Sequence, residues 1–387
     1  MKKEDFFLLI IFILLSSSII IKSFFHVDGY LSSDSHNYLS LAQNLLEKKG
    51  FYTQSNLHKG NNFFSLWPIG YSFFIFLVSK FFNLSVFWAS KFLNIFFIGL
   101  ILINFKIIFR KNAYLYATIF LFASNIDLFS YTWSETMFIV ALIWFSSSLK
   151  EFIKNPKILF LTFISLSFST LFLFLSRYAG IYSLIILLLF TGYFVYLKNF
   201  KKATLITGIF IINLLFIAFY LSNNYSETNF IFGESRSFFP REISEFILIL
   251  AKALIGEIII IDTHLRTTFF YLIIYSIYIL IFCRFLFDIY KNKKLYFKKQ
   301  NDIFSSKLYG LLGLLYYLFI IILSYTIGFD SLNYRLLAPG SILIFIAIIN
   351  FLNESFKKKY IIYFKFYLIL IAFFSWIIHF PVKTLIN

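Results

Sequence analysis

The side chains able to do chemistry in this sequence are few. Two carboxylates, Asp34 and Glu135, stand beside segments that also carry Arg177, Arg266 and Arg335. A carboxylate set near a hydroxyl can take its proton as a general base. Arginine offers a planar fork that grips phosphate or carboxylate with paired hydrogen bonds. Each residue also has a plainer reading. Asp34 opens the run DSHNYLSLAQNLLEKKG (34–50) and could simply cap a helix N-terminus. Glu135 follows Ser134 and is either a first-turn acid favoured by the helix dipole or a second carboxylate facing Asp34. Arg177 and Arg335 either hold an anion or reach up to lipid headgroups. Asp28, next to Gly29, is a turn residue. His58, His264, His379 and Arg236 lie where polar residues need no special explanation. No group of His, Cys and acids has metal-ligand spacing.

What must position these groups is a bundle in lipid. Of 387 residues, 60% are hydrophobic and 14% charged, with 58 Phe and a mean hydropathy of +0.82. Soluble domains sit near 45–50% apolar and about 25% charged, so a water-soluble enzyme and a disordered chain are both excluded. A single cysteine, Cys283, rules out an internal disulfide scaffold. The net charge of +17 would suggest nucleic acid in a soluble protein. Here the basic residues instead cluster between apolar runs, and no nucleic-acid partner is expected.

Spanning helices need about 20 mostly apolar residues. Eleven are expected: 6–25 (an uncleaved anchor), 86–105, 113–130, 135–150, 158–176, 179–197, 203–221, 267–290, 308–327, 336–352 and 360–380. Two shorter apolar stretches, 69–82 and 246–261, either span or lie in the interface. The positive-inside rule decides between those options. If neither spans, every dense Lys/Arg cluster falls on one side, including Lys2–Lys3, Lys198 to Lys202, Lys291 to Lys307 and Lys357–Lys359. The Lys-rich 291–307 segment then reads as a solvated cytoplasmic loop. The expectation is one membrane domain over 1–387 in a plasma or inner membrane, N-terminus cytoplasmic. Two long outer segments result, a first loop (26–85) and 222–266. Five of the seven Arg, with Arg241 among them, fall on that outer side.

The first outer loop carries the strongest pattern. Tyr38, Leu41, Ala42, Leu45 and Leu46 form an apolar stripe of helical period, opposite Ser40, Gln43, Asn44 and Lys48. Such a helix is too short to span and should lie flat on the membrane. After a polar stretch, WPIGYSFFIFLVSKFF (67–82) gives a second short apolar helix. The spacing predicts two juxtamembrane helices over the outer mouth of a bundle.

These residues resemble the first outer loop of GT-C fold membrane glycosyltransferases, nearest the family 39 (dolichyl-phosphate-mannose-protein mannosyltransferase-like) and aminoarabinose transferase-like groups. DSHNYLSLAQNLLEKKGF and WPIGY carry the likeness. WSETMF (133–138), SRYAGIY (176–182) and NYRLLAPG (333–340) extend it, in order and on one expected face. It is good over 28–182, weak over 200–330 and returns at 333–350. Many relatives carry paired acids where this chain has Asp34–Ser35, which argues against a metal site there but leaves a divalent cation open; no other cofactor is implied.

The resemblance implies a GT-C-like all-α polytopic bundle and an inverting transfer from a polyprenyl-phosphate-linked sugar to an acceptor hydroxyl on a glycan, lipid or protein. It implies Asp34 as general base and Arg177, Arg335 and Arg266 as holders of the donor phosphate. Glu135, Tyr38 and Tyr178 would orient substrate. The absence of a P-loop or GxGxxG in the sequence agrees with a lipid rather than nucleotide donor. The alternative is a polytopic transporter or flippase of a lipid-linked or anionic substrate. Transporters usually place ionisable residues near the bilayer midplane and often show repeats. The spans here are nearly free of mid-helix charge, and no internal repeat stands out.

Overall fold

The computed structural model describes residues 2–54, 61–155, 159–232, 242–258, 304–326, 332–355 and 358–378, with isolated positions between 276 and 287. Eight helices among the described residues are long and apolar enough to cross a membrane: Lys3–Phe25, Val86–Leu121, Glu135–Lys154, Leu159–Ser176, Tyr178–Tyr196, Phe200–Thr228, Phe304–Thr326 and Tyr334–Glu354. Their outer faces are apolar: Ile107, Phe160 and Phe219 are each more than 70% exposed. Water would penalise that surface, whereas lipid tails match it. The chain is a polytopic membrane protein, all-α among the described residues apart from one pair of three-residue strands.

Helix α1 (Lys3–Phe25) leads into the first loop. There α2 (Ser33–Leu46) and α3 (Gly70–Phe82) flank two three-residue strands, β1 (Tyr52–Gln54) and β2 (Asn61–Phe63). The strands pair antiparallel, with Tyr52 opposite Phe63. The expected stripe of α2 is the buried face: Tyr38, Leu41 and Ala42 are each at most 1% exposed. Its polar face is what leaves α2 too weakly apolar to enter the bilayer on its own.

Helix α4 (Val86–Phe109) crosses next, and the segment 113–130 departs from expectation. It is not one span but a broken one: α5 (Ala113–Ala117), a 3₁₀ turn (Thr118–Leu121) and α6 (Ala123–Ser130). Phe122, with ψ 141°, makes the break. The backbone groups freed there are satisfied inside the protein. Ala123 N–H donates to Ser375 Oγ at 3.1 Å, and Asn125 Nδ2 donates to the Ile119 carbonyl at 3.0 Å. A break at membrane depth is tolerated only where such partners exist.

The bundle continues through α7 (Glu135–Lys154), α8 (Leu159–Ser176), α9 (Tyr182–Tyr196), α10 (Phe200–Thr228) and α11 (Ile243–Ile258). It closes with α12 (Phe304–Thr326), α13 (Tyr334–Ser355) and α14 (Lys358–Ile378). The stretch 246–261 thus falls largely within α11. The expected span 267–290 lies outside the described residues except for isolated positions. In α14 the apolar stretch is only Ile361–Ile377.

Candidate active site

Four segments far apart in sequence meet at one end of the bundle. Asp34 comes from the first turn of α2, Glu135 from the first turn of α7, Arg177 from the link after α8, and Arg335 from the first turn of α13. The Arg335 guanidinium bridges the acids: Nη1 donates to Asp34 Oδ2 at 2.6 Å and Nε donates to Glu135 Oε1. Glu135 Oε1 also accepts from Arg177 Nη1. Glu135 is fully buried, and the side chains of Arg177 and Arg335 are 7% and 14% exposed. Neither arginine snorkels to headgroups. Two carboxylates and two guanidiniums cancel in formal charge, which lets the cluster exist away from water.

Local chemistry explains why Asp34 is available. The N-cap of α2 is Ser32, not Asp34. Ser32 and Ser35 form a reciprocal capping box: Ser32 N–H donates to Ser35 Oγ at 3.0 Å, and Ser35 N–H donates to Ser32 Oγ at 3.4 Å. The capping reading of Asp34 is therefore overturned. Its carboxylate is left to face the cluster, with 20% of its side chain exposed.

The turn carrying Glu135 is clamped from α4. Asn94 Nδ2 donates to the carbonyls of Phe129 (2.9 Å) and Tyr131 (2.8 Å), and Lys91 Nζ donates to that of Ser130 (2.6 Å). The turn carrying Arg177 is held by close backbone approach. A Cβ on Gly180 would overlap the Leu173 backbone, and one on Gly70 would overlap the Leu175 carbonyl. Only glycine lets α3 and the 178–181 turn pack so tightly on the end of α8.

Tyr38 borders the cluster. Its hydroxyl pairs with Ser134 Oγ at 2.9 Å, and its ring meets Tyr71 edge-on at 5.2 Å. Burial, then the neighbouring Glu135 charge, pushes this phenol well above its ordinary range, so it stays a neutral hydroxyl. Tyr178 is placed differently. Its hydroxyl donates to the Ser65 carbonyl at 2.6 Å and accepts from Asn224 Nδ2 at 2.8 Å, which ties the first loop to α10. Arg266, His58, His264, His379, Arg236 and Arg241 lie outside the described residues.

Sequence reasoning passed over three features. The Trp133 ring lies beneath Arg335, whose Cζ is 4.2 Å from a ring centroid, and donates its indole N–H to Ser32 Oγ at 2.7 Å. Lys22 and Asp127 form a buried ion pair, with Lys22 also over the Tyr30 ring at 4.9 Å. Tyr30, Tyr131 and Trp133 continue as adjacent rings at 4.9 and 4.1 Å, joining that pair to Arg335. The signal was present: Lys22, Lys91 and Asp127 are ionisable residues inside apolar runs, which are rare without a function or a partner.

Among the described residues, Glu135 Oε2, Thr136 Oγ1 and Ser72 Oγ are buried without a hydrogen-bond partner. No group of three His, Cys, Asp or Glu among them could hold a metal ion. The arrangement can place a carboxylate, a second buried acid and two guanidiniums around one reacting centre.

No protein-family model and no curated protein matches the sequence. The fold does match two crystal structures of ArnT from Cupriavidus metallidurans. The apo form aligns at TM-score 0.52 and 12% identity over 82% of this chain and 55% of that one. The form bound to undecaprenyl phosphate aligns at TM-score 0.56 and 10% identity over 89% and 59%. This chain thus spans a little over half the length of those proteins. The likeness establishes the fold: an ArnT-like polytopic helical bundle.

Proposed function

We propose that this chain is a membrane glycosyltransferase that moves a sugar from a polyprenyl-phosphate donor to an acceptor hydroxyl at the outer face of a plasma or inner membrane. One observation carries the reading: Asp34, Glu135, Arg177 and Arg335, from four segments, converge on one cluster. The fold neighbour bound to undecaprenyl phosphate supports the donor class.

In this mechanism the acceptor oxygen attacks the anomeric carbon while Asp34 takes the acceptor proton. The bond from that carbon to the phosphate oxygen breaks, and its electron pair leaves with the lipid phosphate. Attack opposite the leaving group inverts the anomeric centre. Arg177 and Arg335 hold the charge that develops on the phosphate, where fixed cations in a water-poor site act most strongly. The free Oε2 of Glu135 accepts a hydroxyl of the sugar, and Tyr38 borders the same space as a neutral hydroxyl. Arg266 is proposed as a further phosphate contact, and Tyr178 as an indirect one that fixes the first loop.

Purified protein in detergent, given a polyprenyl-phosphate-linked sugar and a pool of acceptors, is followed by mass spectrometry. A transferase releases polyprenyl phosphate and forms a new glycoside. A flippase returns the donor intact, and that result would overturn the reading.

A further inference from the structure

Arg335 presents its donors in an arrangement with a consequence for donor binding. Its Cζ sits over the Trp133 ring, 4.2 Å from the centroid, within cation–π range. Nε is committed to the buried Glu135, and Nη1 to the more exposed Asp34. Among the described residues Nη2 has no partner. The Asp34 oxygen facing the cluster is thereby occupied, and the cluster as a whole is neutral.

We infer that Trp133 is a positioning residue that holds the Arg335 guanidinium where Asp34 and the donor phosphate compete for it. The inference rests on the proposed donor class. The arriving phosphate takes Nη1 and Nη2 of Arg335 as a bidentate pair, Nε stays on Glu135, and Asp34 Oδ2 is released to the acceptor hydroxyl. The base is then free only when the donor is loaded, which disfavours other proton transfers at an empty site. Trp133 suits this task twice over. Its ring sits beneath the guanidinium carbon and keeps a cation–π contact whichever anion the donors serve, and its N–H to Ser32 ties the same ring to the cap of the helix bearing Asp34.

The test is binding of undecaprenyl phosphate to the full chain in detergent, with phosphatidylglycerol as the comparison lipid phosphate. Asp34→Asn removes the competitor and is expected to tighten undecaprenyl phosphate by about three- to tenfold, the range for losing a partly exposed charged hydrogen bond. Arg335→Ala weakens binding, and adding Asp34→Asn to it restores nothing. Trp133→Phe keeps the ring and therefore keeps the gain from Asp34→Asn, whereas Trp133→Leu abolishes it. Phosphatidylglycerol shows no gain in any variant.

Unchanged or weaker binding in Asp34→Asn overturns the inference. So does a gain that survives Arg335→Ala, which would mean simple repulsion by Asp34, or an equal gain for phosphatidylglycerol. Failure of the wild-type chain to bind undecaprenyl phosphate at all would instead remove the donor reading itself.

Discussion

Removing the Glu135 carboxylate should cost far more stability than removing Asp34, although both carboxylates pair with Arg335. Glu135 is fully buried and is the acid bonded to Arg177, whose side chain is only 7% exposed. Glu135→Ala leaves that guanidinium charged and uncompensated away from water, a change worth about 3–5 kcal/mol. Arg335 keeps Asp34 in that variant, so its share is smaller. Asp34 is 20% exposed and pairs at the edge of the cluster, where ion pairs contribute about 0–1 kcal/mol. Replacing Glu135 and Arg177 together by Leu and Met removes both buried charges, and the double variant should recover most of the loss. Equilibrium unfolding in mixed micelles, read by tryptophan fluorescence, of the wild type, Glu135→Leu, Arg177→Met and the double variant gives the four corners of the cycle. A coupling between residues 135 and 177 of about 2 kcal/mol or more is expected for partners in contact. Additive effects, or an Asp34→Asn variant as unstable as Glu135→Ala, would refute the reasoning.

Ser32→Ala removes both the α2 cap and the acceptor of the Trp133 indole N–H. It should cost about 1 kcal/mol in the same unfolding measurement and lower the transfer rate. Gly180→Ala forces a Cβ into the Leu173 backbone, so folded yield and activity should fall together on size-exclusion and transfer assays. Asp127→Asn strands the buried Lys22 ammonium and should destabilise by about 3–5 kcal/mol, while Lys22→Met combined with it should recover part of that loss. In a Cys283→Ser background, Ser55→Cys should react with an impermeant thiol reagent from outside intact cells, and Tyr296→Cys only after permeabilisation. The reverse pattern would reject the outer placement of the site.

Much of the site could be read from charge sorting. Lysines concentrate where the positive-inside rule wants them, so the acids and arginines outside those clusters stood out, and Asp34, Glu135, Arg177 and Arg335 do meet. The stripe of α2 was legible because its apolar residues recur at helical spacing. Trp133 was not, since a tryptophan at a membrane boundary is ordinary in any such protein, and its two contacts join residues about a hundred or more positions away. The capping box escaped because Ser32 and Ser35 flank a carboxylate that is itself a good cap. The break in 113–130 was hidden because hydropathy averages over a window. The Ala123 N–H beside the break finds its partner, Ser375, on α14, which no local pattern reveals.

The most direct measurement is the initial rate of sugar transfer by Asp34→Asn from a polyprenyl-phosphate donor, made on protein whose unfolding matches the wild type. General bases typically contribute 10²–10⁴-fold, so the account predicts a fall of at least about a hundredfold with folding intact. Transfer at the wild-type rate would contradict it and leave Asp34 as no more than a salt-bridge partner of Arg335.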